Sequence, residues 1–158
     1  LRSVSNRWRV LKLRAYRRGD EHAFAPRADM LAEMQAVAWE WTLRGPPGLT
    51  WTLTRAGSGE VVGIGGGVEQ QRGDWQLWCV LAPLRWKEWP SAIACAVEVV
   101  RRLERDWGAK HLTALARDDL AAAALVLRRM GFAYYGASLS WRGYSIFERS
   151  HRGRRFRT

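Results

Sequence analysis

Apolar positions along the chain change period several times, and each change marks an element. Val10, Leu11 and Leu13, set among basic residues, read as a first strand over Val10 to Tyr16. Asp20 stands where it can cap the next element. Met30, Leu31, Met34, Val37, Ala38 and Trp41 then recur every three or four positions, which predicts an amphipathic helix from Ala28 that ends before Gly45-Pro46-Pro47-Gly48. Leu49 to Thr54 alternates as a strand does, Ala56-Gly57-Ser58-Gly59 turns the chain, and Glu60 to Gln70 returns. A second turn, Gln71-Arg72-Gly73-Asp74, leads into Trp75 to Leu81, completing a three-strand meander.

Beyond Pro83 the period lengthens again. Pro90 suits a first helical turn, and Ile93, Val97, Val100, Leu103 and Trp107 share one face, with Glu98, Arg101, Arg102 and Arg105 opposite. Gly108 supplies the stop. Leu112 to Ala116 reads as a short strand, Asp118 or Asp119 as the cap of an alanine-rich helix running to Met130, and Phe132 to Tyr135 and Tyr144 to Phe147 as two closing strands. The order is strand, helix, three strands, helix, strand, helix, two strands, an α/β layout without an internal repeat.

Composition narrows the class. With 158 residues, 47% hydrophobic and 26% charged, the chain suits one globular domain with a core of its own. The formal charge of +11 is unevenly placed. Residues 1–18 carry seven basic side chains and no acid, and residues 149–158 carry five more and no acid. Residues 19–148 hold 14 basic and 15 acidic side chains, so the excess sits at the two ends. The expected organisation is a basic arm at 1–18 leading into the first strand, a single domain over 8–149 and a basic tail at 150–158. Arginine favours bidentate contacts to phosphates and carboxylates, which makes Arg2, Arg7, Arg9, Arg17, Arg18, Arg152, Arg154, Arg155 and Arg157 candidate partner-binding residues. Two cysteines, Cys79 and Cys95, give no disulfide framework, and with scattered His22, His111 and His151 they give no metal-ligand spacing. Both thiols are expected in the core. No apolar run is long enough for a membrane span, and no apolar signal core follows the basic N-terminus, so an intracellular, reducing setting is expected.

The element order, with Leu13-Arg14-Ala15 and Asp20 early, a Gly108-Ala109-Lys110 turn before the fifth strand, and Arg128-Arg129-Met130-Gly131-Phe132 late, resembles the GNAT (N-acetyltransferase) superfamily over about residues 8–149. The resemblance implies a mixed, mostly antiparallel sheet flanked by helices. It also implies a pyrophosphate cradle for acetyl-CoA after the fourth strand, an Arg/Gln-x-x-Gly-x-Gly/Ala turn whose glycines let backbone N–H groups close on the phosphates. Here that turn reads Pro83-Leu84-Arg85-Trp86-Lys87-Glu88-Trp89-Pro90-Ser91, with no glycine; Trp89 and Ser91 fall about where the glycines belong, and Pro90 removes a donor. In the late helix the family's Asn falls near Leu120 and its proton-donating Tyr at Leu127, so both polar groups are absent. Asp74, Glu69 and Glu88 are candidate bases, although lone carboxylates beside strands are mostly solvated charges.

A narrower resemblance joins Gly63-Ile64-Gly65-Gly66-Gly67, the Trp-rich fourth strand, the glycine-free turn and the Arg-Met-Gly-Phe ending to small GNAT-like proteins of short-tailed phage virions. It implies a non-catalytic structural or assembly component, located in the virion and the host cytoplasm, whose partners are other virion proteins such as a portal or neck ring, or packaged DNA. That reading assigns no catalytic residue, no metal and no cofactor. The alternatives are an N-acetyltransferase whose divergent loop binds acetyl-CoA phosphates through Arg85, Lys87 and Ser91, and a nucleic-acid-binding module that uses both ends.

The glycine run lacks the Gly-Lys-Ser/Thr of a phosphate-binding loop and leads into a strand, so close approach of another backbone, or of a ligand or partner chain, is its expected role. Among ten tryptophans, Trp39, Trp107 and either Trp75 or Trp78 are expected in the core. Trp86 and Trp89, set among Arg85, Lys87 and Glu88, are expected to contact a partner or stack on bases.

Overall fold

The computed structural model describes residues 9–150, apart from the side chains of residues 33 and 36–39. The elements are β1 (Leu11–Ala15), α1 (Ala28–Arg44), β2 (Leu49–Arg55), β3 (Val61–Gln71), β4 (Asp74–Leu81), α2 (Trp89–Asp106), β5 (His111–Arg117), α3 (Ala121–Arg129), β6 (Ala133–Ala137) and β7 (Tyr144–Ser150). Short 3-10 turns lie at Asp20–His22 and Trp86–Glu88. This is the order that the apolar pattern predicts.

The strands form one seven-stranded sheet in the order β1-β2-β3-β4-β5-β7-β6. β1 lies antiparallel to β2 from Leu11↔Arg55 to Ala15↔Trp51, and β7 lies antiparallel to both β5 and β6. The pair β4 and β5 is parallel, from Asp74↔His111 to Leu77↔Ala114. Parallel neighbours need a long crossover, and α2 supplies it. The result is a mixed, mostly antiparallel α/β sheet flanked by helices.

Contacts divide the chain into two compact units, Leu1–Gly66 with Cys79–Ala96, and Gly67–Trp78 with Val97–Thr158. In the first, Leu11, Leu53, Val62, Ala92 and Cys95 form a buried cluster, with Leu13, Leu81, Ala82 and Leu84 packed against it. In the second, Trp75, Leu103, Ala109, Leu112, Ala114, Met130, Phe132 and Phe147 are buried. The glycine run of β3 serves close packing within the protein: a Cβ on Gly66 would run into the Leu49 carbonyl of β2, and one on Gly63 would lie 2.6 Å from Leu81 Cδ2.

Three local expectations are corrected. Trp107 is exposed because α2 ends at Asp106 and Gly108, at φ +67°, turns the chain so that Ala109 donates to the Leu103 carbonyl at 2.9 Å and is buried instead. Cys79 is exposed, since Val80 and not Cys79 turns inward there, while Cys95 is buried as expected. Neither Asp118 nor Asp119 caps α3: its N-cap is Leu120, Asp118 accepts from the Ser145 hydroxyl, and Asp119 pairs with Arg117. Of the expected core tryptophans, Trp75 is buried, and the side chain of Trp39 lies outside the described residues.

Candidate functional site

The turn between β4 and α2 is built around a carboxylate. Counted from Arg85 as the first position of the family's motif, the glycine positions fall on Glu88 and Pro90, one residue earlier than Trp89 and Ser91. Glu88 is buried and accepts from Arg55 Nε at 2.7 Å, from Arg55 Nη2 at 3.2 Å and from the Arg85 backbone N–H at 2.9 Å. Its own N–H donates to the Arg85 carbonyl at 2.9 Å, closing the 3-10 turn. Arg55 also holds Glu60 at 2.6 Å. The Arg55 hydrogen bonds outweigh burial and hold the Glu88 carboxyl below its usual range, while the same bonds raise Arg55. A carboxylate so engaged is a brace for the turn and not a poised base.

The Ser91 side chain is turned to β1. Its hydroxyl accepts from the Leu11 N–H at 3.1 Å and donates to the Leu11 carbonyl at 3.2 Å, pinning the first turn of α2 to β1. Both hydrogen bonds of the Ser91 hydroxyl thus go to the Leu11 backbone. Arg85 and Lys87 keep exposed side chains on the turn, and neither forms an ion pair among the described residues. Glu88 is turned inward onto Arg55, its strongest partner, and also attracts the Arg85 charge at longer range. Trp86 is 78% exposed with Lys87 Nζ 5.6 Å from its ring centroid. Trp89 is half-buried and carries the Arg27 guanidinium 5.4 Å from its ring.

The remaining candidate bases are occupied or open to solvent. Glu69 accepts the Gly73 N–H at 3.0 Å, fixing the β3–β4 turn. Asp74 is exposed and lies 3.9 Å from His111 Nδ1, whose Nε2 is 3.4 Å from Glu148. A shallow crevice of about 460 Å³ beside the end of β5 is lined by Arg117, Asp118, Asp119, Arg142, Gly143 and Tyr144, but both its acids already have partners. Along α3, Leu120 and Leu127 stand where the family has polar groups, and the helix is AAAALVLRR throughout. Among the described residues, no group of three or more His, Cys, Asp or Glu side chains is placed to hold a metal ion.

Sequence reasoning missed the most elaborate polar cluster. Asp20 receives Arg14 Nη1 at 2.7 Å and Nη2 at 2.8 Å, the Thr52 hydroxyl at 2.6 Å and the Arg17 N–H at 2.8 Å. Burial alone pushes its carboxyl up, but these donors together bring it down to about 2. Beside it Tyr16 donates to Glu21 at 2.6 Å, and burial followed by that hydrogen bond raises the phenol to about 12. The alternation of polar Thr50, Thr52 and Thr54 on β2 was the available signal, since it sets a hydroxyl opposite Arg14 of β1.

The basic ends divide. Arg2, Arg7, Arg152, Arg154, Arg155 and Arg157 lie outside the described residues; Arg9, Arg17 and Arg18 are exposed. Arg14 and Arg149 belong to the fold: Arg149 bridges Glu104 at 2.8 Å and donates to the Met130 carbonyl at 2.9 Å. No described helix is long and apolar enough to cross a membrane.

No family model and no curated protein matches the chain. Solved structures do. A ribosomal-protein-S5-alanine acetyltransferase from Vibrio fischeri aligns with TM-score 0.63 at 8% identity, over 89% of this chain and 93% of that one. A GNAT-family acetyltransferase from Bacillus anthracis aligns with TM-score 0.66 at 10% identity, over 89% and 94%. A GCN5-related N-acetyltransferase from Kribbella flavida reaches TM-score 0.69 at 13% identity, over 90% and 98%. The fold is GNAT-like. The expected role as a non-catalytic virion component is overturned: these three structures are acetyltransferases by name, and the phage resemblance finds no support among them.

Proposed function

We propose that this chain is an N-acetyltransferase that takes acetyl-CoA through a divergent pyrophosphate turn. The observation that carries the reading is the likeness in fold to acetyltransferases over 89–90% of the chain. The turn after β4 supports it, because Arg85 and Lys87 are exposed, without an ion pair among the described residues, where an anionic pyrophosphate belongs. Acetyl-CoA, when bound, supplies an acetyl group activated as a thioester. Transfer forms a C–N bond to an acceptor amine, breaks the C–S bond, and moves the proton lost by the amine to the departing sulfur.

The residues of this chain divide that work unequally. Arg85 and Lys87 neutralise phosphate charge, and the Glu88–Arg55 pair keeps their turn in one shape. Leu127 offers the sulfur no proton, so solvent or the acceptor must supply it, and the amine must arrive unprotonated because Asp74, Glu69 and Glu88 are not poised to take its proton. Catalysis by positioning is what such a site has to give.

Calorimetric titration with acetyl-CoA, together with thiol release measured across polyamines and peptides with free N-termini, tests the reading. Micromolar binding with amine-dependent thiol release is expected. Arg85→Ala with Lys87→Ala should weaken binding about tenfold, the effect of two exposed charged contacts. Ser91→Ala should leave affinity unchanged while lowering stability by about 1 kcal/mol, since its bonds are to Leu11. No binding at millimolar acetyl-CoA overturns the proposal.

A further inference from the structure

We infer that Trp86 is a stacking platform for the adenine of the cofactor on the ring face opposite Lys87, with Lys87 and the preceding Arg85 as cations for the phosphates, so that aromatic contact and charge replace the missing glycine cradle. The inference rests on the acetyltransferase reading and names how its nucleotide end is held.

Exposure is the first argument. An indole left 78% open on a turn forgoes burial that a folded chain usually takes, and such exposed aromatic surface is characteristic of binding sites. Rigidity is the second. Trp86 opens a 3-10 turn whose closing residue, Glu88, is tied to Arg55 through two hydrogen bonds and to the Arg85 N–H through a third. The ring is thus presented by backbone already fixed before a ligand arrives, which spares the entropy of ordering a loop. Charge is the third. Lys87 Nζ lies over one face of the ring, 5.6 Å from the centroid, and Arg85 precedes the indole, so a planar group laid on the opposite face of Trp86 would bring its phosphates to neighbouring cations.

Three other described tryptophans, Trp75, Trp89 and Trp141, lack this combination. Trp89 is half-buried, with Arg27 over its ring. Trp75 is buried. Trp141 is exposed, but it stacks edge-on with Tyr144 at 6.1 Å. A purine nucleotide bearing phosphates matches the platform in shape and charge, since every base offers a flat face and the phosphates need cations.

The test uses the full chain and four probes: acetyl-CoA, adenosine 3′,5′-bisphosphate, acetylpantetheine and an oligothymidylate. By calorimetry, Trp86→Ala should weaken acetyl-CoA and the bisphosphate by about tenfold to a hundredfold, and Trp86→Phe should retain most of the affinity. Acetylpantetheine, which has no adenine, should bind both proteins alike. The melting temperature should not move in either variant, because the side chain is exposed. Acetyl-CoA binding that ignores Trp86→Ala overturns the platform and leaves the acetyltransferase reading standing. Trp86-dependent binding of the bisphosphate without any thiol release keeps the platform and removes that reading. Oligothymidylate bound more tightly than either nucleotide, with affinity lost on Trp86→Ala, overturns the inference in favour of single-stranded nucleic acid.

Discussion

Asp20 accepts from a guanidinium, a hydroxyl and a backbone amide at once, and that set of donors determines its titration. Its carboxyl ionises near 2 in the folded protein against an ordinary value of 3.8. Because the folded value is depressed, the stability it contributes is present above the ordinary value and is lost as pH falls toward 2. The difference corresponds to about 2 kcal/mol. Urea unfolding followed from pH 6 to pH 2 should therefore show a loss of that order between about pH 4 and pH 2, and Asp20→Asn should be weaker by a similar amount at pH 6 but flatter across that interval. A wild-type protein with no acid-dependent loss beyond that of the variant would contradict the assignment. A three-residue separation between Arg17 and Asp20 is visible in the sequence, but the hydroxyl of Thr52 comes from a strand 32 positions on, and only the pairing of β1 with β2 brings it there.

Strand β3 owes its place to what its glycines lack. Gly66 is buried against the Leu49 carbonyl, with Thr50 Cα also close, so a methyl group there would force β2 and β3 apart. Gly66→Ala should cost about 3 kcal/mol or more in denaturant unfolding, whereas Gly57→Ala, at a turn glycine with nothing within 4 Å and no left-handed backbone, should cost almost nothing. Elements of this kind were legible because apolar period and turn residues are local properties: α1 begins at Ala28 as its periodicity predicts, and the β3–β4 turn falls at Gly73. What was not legible depends on contacts distant in sequence. Glu88 and Ser91 look like neighbours available to a ligand, yet Arg55, 33 residues away, takes the first and Leu11, 80 residues away, takes the second. The exposed cations and the open indole of the same turn were legible, since nothing in the fold draws them inward.

At the scale of the whole molecule, surface and interior divide in ways that chemistry can count. Cys79 is exposed and Cys95 lies buried with its Sγ 3.9 Å from the Leu11 carbonyl. A thiol reagent should thus label one cysteine of the native protein within minutes and the second only in urea; two fast thiols without denaturant would show that the buried cluster around Leu11 is open. The charge of +11 is also redistributed by folding. Arg14 and Arg149, which look like parts of basic ends, are braces within their units, whereas Arg9, Lys12, Arg17 and Arg18 near the start of the chain are exposed, as are Arg85 and Lys87 and, elsewhere on the surface, Arg44, Arg72, Arg101, Lys110, Arg128, Arg129 and Arg142.

The order of the last strands bears on how the protein is made. β7, residues Tyr144–Ser150, stands between β5 and β6, and β6 has no other neighbour in the sheet among the described residues. During synthesis β6 leaves the ribosome first and has nothing to pair with until β7 emerges, so its Ala-Tyr-Tyr-Gly-Ala segment, uncharged and with two exposed tyrosines, waits as an open edge. β7 is therefore the keystone of this end of the sheet, and the interval before it emerges is when the β6 edge is open to wrong partners.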